Sequence, residues 1–171
     1  MTVYWITGLS GVGKTTVANA LVQSLRQRGE ATVLLDGDAV RAAIADPNVG
    51  YDAGSRRVAA RRMCGLAAMF AEQDLQVVVA TISLFHEIHA WNRQYLSDYL
   101  EVWMTSGENQ LLEAKLAETR NQEGPVVGVD IPPEFPLEHH LNIENSGDPE
   151  ELPAIVNRIL QAASGNFGHE C

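Results

Sequence analysis

The stretch VYWITGLSGVGKTT (residues 3–16) decides the fold. Its first five residues are all β-branched or aromatic, which reads as a strand buried on both faces. Three glycines, a lysine and two threonines follow without a gap. The next segment, KTTVANALVQSLRQRG (14–29), has helical period, with Val17, Leu21 and Leu25 on one stripe and Gly29 as a stop. Strand, glycine loop and helix in that order form the setting in which G-x-x-x-x-G-K-[ST] becomes a phosphate-binding loop. Glycines let the backbone curl until successive N–H groups face one hollow, and the helix N-terminus adds partial positive charge. Gly8, Ser10, Gly11, Val12, Gly13, Lys14, Thr15 and Thr16 are therefore the candidate ATP-binding residues. In such loops the lysine reaches the β- and γ-phosphates and the hydroxyl residue ligates Mg²⁺, which assigns those tasks to Lys14 and Thr15.

Outward from this loop, strands and helices alternate. ATVLLD (31–36), QVVVATIS (76–83), YLEVWMT (99–105) and HLNIEN (140–145) read as further strands. Helices are predicted over 38–45, 55–73, 86–97, 108–119 and 149–163, with Met63, Leu66, Ala67 and Phe70 as the apolar stripe of the third. The segment 119–136 is irregular and holds four of the seven prolines. The pattern predicts one α/β domain over 1–171: a three-layer α/β/α P-loop NTPase fold with a mostly parallel five-stranded sheet. A lid is expected at about 106–125 and a frayed tail at 164–171.

The chain carries a net charge of −10, which argues against a general nucleic-acid binder. Its longest apolar runs are strand-sized, which argues against a membrane partner. The N-terminus lacks a basic n-region, and Cys64 and Cys171 lie far apart in sequence; both fit a reducing cytoplasm. Five of the 12 Lys and Arg fall between 41 and 62: Arg41, Arg56, Arg57, Arg61 and Arg62. Such a cluster is either a solvated helix face or a reserve for an anion.

No guanine-reading NKxD-like segment is present, and no acidic residue ends the third strand. Acids end the second strand instead, in LDGDAVR (35–41). Ligands of parallel sheets collect at the carboxyl ends of strands, so Asp36 and Asp38 are expected to face the phosphate loop. There a carboxylate can orient Mg²⁺ or accept a proton from an attacking hydroxyl, and both are candidate catalytic groups, with Asp36 and Thr15 as metal candidates. Asp38 also reads as the N-cap of the short helix. Arg41, three residues on, is either in a surface ion pair or an anion contact.

GLSGVGKTT (8–16), LDGDAVR, GY followed by the arginines, ISLF (82–85) and GVDIPPE (128–134) occur in that order. Together they resemble the adenylylsulfate kinase family, over about residues 3 to 145. The resemblance implies transfer of the ATP γ-phosphoryl to the 3′-hydroxyl of adenylyl sulfate or a related nucleotide, with ATP and Mg²⁺ required. It implies that Asp38, Arg41, Tyr51, Arg56, Ile82, Ser83, Leu84 and Asp130 belong to the acceptor side. Tyr51 stands where the family has a stacking phenylalanine, and Arg56 where an arginine holds the acceptor's anion. A homodimer is implied too, since the family often forms one. Ser83 is either an acceptor-side residue or a turn residue closing the strand.

Several positions depart from the family pattern. Ala59 replaces an asparagine, Leu84 a proline, and Val126 a second stacking aromatic. Losing one stacking partner removes about 1–3 kcal/mol of base affinity. The family's KGLY-type lid is replaced by LLEAKLAETRNQEGP (111–125), where Lys115 and Arg120 are the only cations. ISLFHEIHAWNR (82–93) and VVGVDIPPE (126–134) look similar to a diverged branch acting on cytidine diphosphoramidate. An ATP-binding protein without transferase activity and a kinase for a small non-nucleotide acceptor are the rival readings. His86 and His89 stand three residues apart, which suits a metal pair, but without a third ligand they read as a solvated helix face.

Overall fold

The computed structural model describes residues 1–107 and 124–166. The predicted helix over 108–119, most of the candidate lid, Lys115, Arg120 and Cys171 lie outside the described residues.

Five strands form the sheet: β1 (Val3–Thr7), β2 (Thr32–Asp36), β3 (Gln76–Thr81), β4 (Tyr99–Thr105) and β5 (Leu141–Glu144). Their order is β2-β3-β1-β4-β5, and all four pairings are parallel. The helices are α1 (Lys14–Gln27), α2 (Gly37–Ile44), α3 (Ala53–Ala71), α4 (His86–Tyr95) and α5 (Leu152–Asn166), the last preceded by a 3₁₀ turn at Pro149–Glu151. The last helix runs three residues past its expected end and takes in part of the stretch expected to fray.

Alternation along β1 builds both cores. Tyr4 and Ile6 face a cluster formed with Val17, Leu21 and Leu25 of α1 and Ile155 and Ile159 of α5. Val3 and Trp5 face a second cluster with Ala60, Met63, Cys64 and Ala67 of α3 and Ile88 of α4. A strand clothed by helices on both sides has no polar face to show, which is why the sequence of β1 never alternates. Burial pushes the Cys64 thiol up to about 12, so it behaves as a small apolar group.

One polar cluster interrupts the second core. Glu101, in β4, is fully buried and receives His89 Nδ1 and Arg93 from α4. Its backbone N–H donates to His140 Nδ1 at 2.9 Å, and Arg93 also donates to the Glu138 carbonyl. This corrects the expectation for the two histidines. His86 is solvent-exposed, but His89 is 2% exposed and turned toward the sheet, because α4 packs its Ile88–His89–Asn92 face inward and Glu101 needs a partner there. No group of three or more His, Cys, Asp or Glu that could hold a metal occurs among the described residues.

Removing Glu101 would leave two cationic or polar partners uncompensated. Glu101→Ala is expected to lower unfolding free energy by about 3–5 kcal/mol. Equilibrium denaturant unfolding measures this; a loss of less than about 1 kcal/mol would show that the cluster behaves as an exposed ion pair.

Candidate active site

The phosphate loop leaves β1 at the centre of the sheet and enters α1. Gly8, Gly11 and Gly13 have φ of 150°, 78° and 87°. Two of these positions also tolerate no side chain. A Cβ on Gly8 would collide with the Met104 carbonyl oxygen, and one on Gly13 with the Asn145 side-chain nitrogen. Asn145 holds the loop down: its Nδ2 donates to the Val12 carbonyl at 3.0 Å, while its backbone N–H donates to Thr105 at 2.8 Å. The loop is thereby tied to the ends of β4 and β5, a role the sequence pattern did not signal.

Gly13 brings no side-chain cap to α1, so the first-turn N–H groups of that helix have no side-chain acceptor from it. Lys14 Nζ lies back across the loop, donating to the Leu9 carbonyl at 2.7 Å. Thr15 Oγ1 donates to Asp36 Oδ2 at 2.9 Å. An uncapped helix start, a folded-back lysine and a hydroxyl–carboxylate pair of hard oxygen donors fit a phosphate chain with Mg²⁺.

Asp36, not Asp38, caps α2. Its Oδ1 accepts from the N–H groups of Asp38 and Ala39 at 3.1 and 3.2 Å. The reason is register: the helix begins at Gly37, one residue before the expected start, which moves Asp38 into the first turn. Asp38 is exposed and lines the cavity, and its carboxylate makes no hydrogen bond among the described residues.

This cavity, of about 470 Å³, runs from the phosphate loop to α3. Ser10, Gly11, Gly13, Lys14, Thr15 and Thr16 line one end, and Asp36 and Asp38 the floor between. Arg41, Tyr51, Arg56, Ile82 and Ser83 line the other end. Arg41 makes no ion pair with Asp38; it donates to the carbonyls of Val49 and Gly50 at 3.2 and 2.8 Å and lies 4.6 Å from the Tyr51 ring centre. Arg56 donates to Tyr51 O and Pro125 O, each at 2.8 Å, with its guanidinium 5.5 Å from the same ring. Both guanidinium groups therefore lie within cation–π distance of the Tyr51 ring, which keeps 38% of its surface exposed.

Four predicted residues do not reach the lining. Gly8 and Val12 form the back of the loop, Val12 being 1% exposed. Leu84 points into the α1-side core, 1% exposed, because the chain turns sharply at Ser83. Asp130 accepts from Val126 N–H at 2.8 Å and so closes its own turn. Ser83 sits at the turn that closes the strand, with φ 29° and a hydrogen bond to Thr81 Oγ1 at 2.9 Å, and it borders the cavity.

Other lining residues were not singled out from sequence. Asp46 is paired with Arg62; that hydrogen bond, followed by the Asn48 backbone N–H, holds its carboxyl below the usual carboxylate range. Phe85 and Val127 supply apolar wall, and Val126, 1% exposed, does not reach it. The signal for Phe85 was present in ISLF; Asp46 sits in a turn-rich loop where an aspartate is unremarked.

The chain is similar to known proteins along most of its length. Residues 1–143 match the family described as adenylylsulphate kinase. It is 34% identical over 155 residues to the cytidine diphosphoramidate kinase of Campylobacter jejuni, spanning 84% of this chain and 86% of that protein. It is also 34% identical over 165 residues to the adenylyl-sulfate kinase of Paraburkholderia xenovorans, spanning 92% and 90%. In fold it is similar to the APS kinase of Mycobacterium tuberculosis solved with AMPPNP and APS, with a TM-score of 0.81, 23% identity and coverage of 94% and 96%. No helix among the described residues is long and apolar enough to cross a membrane. By its sequence, its strand order and its phosphate loop, the chain belongs to the adenylylsulphate kinase family of P-loop phosphotransferases.

Proposed function

We propose that the protein transfers the γ-phosphoryl group of ATP to the 3′-hydroxyl of a nucleotide-type acceptor. One observation carries this reading: a single cavity has the phosphate loop at one end and an aromatic ring flanked by two arginines at the other. A phosphate donor and an anionic, ring-bearing acceptor can then meet over Asp36 and Asp38.

In this reading the loop N–H groups and Lys14 hold the triphosphate and oppose charge developing on the transferred group. Thr15 and Asp36 hold Mg²⁺, which when bound neutralises phosphate oxygen charge. Asp36 is already committed to Thr15 and to capping α2, so Asp38 is the better proton acceptor. The acceptor oxygen attacks the γ-phosphorus, its proton passes to Asp38, and the bond from that phosphorus to the β–γ bridging oxygen breaks to release ADP. Tyr51 stacks on the acceptor base, and Arg41 and Arg56 face its anionic group.

Two acceptors follow from the relatives' names: adenylyl sulfate and cytidine diphosphoramidate. Val126 in place of a second aromatic leaves the base one stacking face, which favours departure from the purine acceptor. A coupled assay offering each acceptor at fixed ATP tests the proposal; tight ATP binding with transfer to neither would favour a nucleotide-binding protein without transferase activity.

Lys14→Ala is expected to cut turnover about 10³-fold with the fold retained by circular dichroism. Near-normal turnover would remove Lys14 from the mechanism. Arg56→Ala is expected to raise the acceptor KM about tenfold or more while the ATP KM stays within about two-fold. Equal changes in both, measured by initial rates, would show that Arg56 does not face the acceptor.

A further inference from the structure

We infer that Glu134 is a positioning residue that holds the acceptor wall of the cavity in place. The inference rests on the kinase reading above and adds a residue to it. Glu134 lies at the end of GVDIPPE, outside the cavity lining, yet it makes three contacts to the two segments, α3 and the β3–α4 connection, that form that lining's far side. Its backbone N–H donates to the Leu84 carbonyl at 3.1 Å. Its Oε2 accepts from the His86 backbone N–H at 2.7 Å. Its Oε1 accepts from the Arg57 guanidinium at 2.9 Å.

Each contact fills a local need. Helix α4 starts at His86, and its N-cap Phe85 brings no side-chain hydrogen bond, so Glu134 supplies the missing acceptor and an anion at the helix N-terminus. Arg57 is the neighbour of Arg56 on α3; it also meets Glu87 at 3.3 Å and covers the Phe85 ring at 4.5 Å. The β3–α4 connection between them contains Ser83 at φ 29°, a conformation that persists only where surrounding contacts over-determine it. One carboxylate thus links α3, which carries Arg56, to the connection that presents Ser83 and Phe85 to the cavity. Half-exposed ion pairs contribute little stability, so the consequence is geometric: without Glu134, the acceptor-facing side chains lose their common register, while the phosphate loop, tied separately by Asn145, keeps its own.

The test compares wild type, Glu134→Ala and Glu134→Gln in initial-rate assays with ATP and whichever of adenylyl sulfate or cytidine diphosphoramidate turns over. Glu134→Ala is expected to raise the acceptor KM about tenfold with the ATP KM within about two-fold, the loss of two charge-assisted hydrogen bonds. Glu134→Gln keeps an oxygen for His86 N–H and should fall between. An unchanged acceptor KM, or equal rises in both KM values, would overturn the inference. A wild type that turns over neither acceptor defeats the functional reading instead. Glu134 is then judged by amide hydrogen exchange: faster exchange at 82–88 with 8–16 unchanged in Glu134→Ala supports the clamp, and unchanged exchange at 82–88 overturns it.

Discussion

Asp36 receives three hydrogen bonds from two segments, and the geometry of the site follows from them. Thr15 Oγ1 reaches one carboxylate oxygen from the first turn of α1; the N–H groups of Asp38 and Ala39 reach the other from the first turn of α2. Two helices that start after β1 and β2, strands separated in the sheet by β3, are thus pinned by one side chain. The direction of α2 then carries Arg41 back to the 49–50 loop, and that loop brings Tyr51 beside the cavity. Were α2 capped by Asp38, the helix would start two residues later and Arg41 would be turned away from Val49 by roughly the rotation of two helical residues, about 200°.

The parallel sheet makes this arrangement possible. Strands β1, β2 and β3 run side by side in one direction, so the loop after β1, Asp36 at the end of β2 and Thr81 at the end of β3 all emerge at the same edge. Thr7, at the last position of β1, donates to the Ile82 carbonyl at 2.6 Å and fixes the start of the far cavity wall to the start of the phosphate loop. The polar cluster around Glu101 lies lower in the sheet, where it ties α4 to β4. Neither Glu101 nor His89 lines the cavity. It anchors the helix whose N-terminus Glu134 caps.

Much of this was legible locally. The uniform apolar run of β1, the glycine spacing to Lys14 and Thr15, and the stripe Val17–Leu21–Leu25 each reflect an interaction within a few residues, so pattern alone located them. The cap of α2 was misplaced by two positions because Asp36 and Asp38 are equally good capping residues; only the strand's end decides between them. His89 read as solvated because helical spacing says which residues share a face, not which face meets the sheet. Leu84 and Asp130 sit inside matching motifs but point away from the cavity, one drawn into the core and one closing a turn.

The sequence by itself determined the alternating layers, the phosphate loop and the chemistry gathered beside it, since these depend on backbone geometry and short-range periodicity. Tertiary structure alone decided that Asn145 locks the loop, that Glu101 draws His89 inward, and that Glu134 bridges two helices. Those contacts join residues 133, 12 and 77 or 48 positions apart in the chain. Their partners are chosen by how the sheet closes, and no local pattern records that choice.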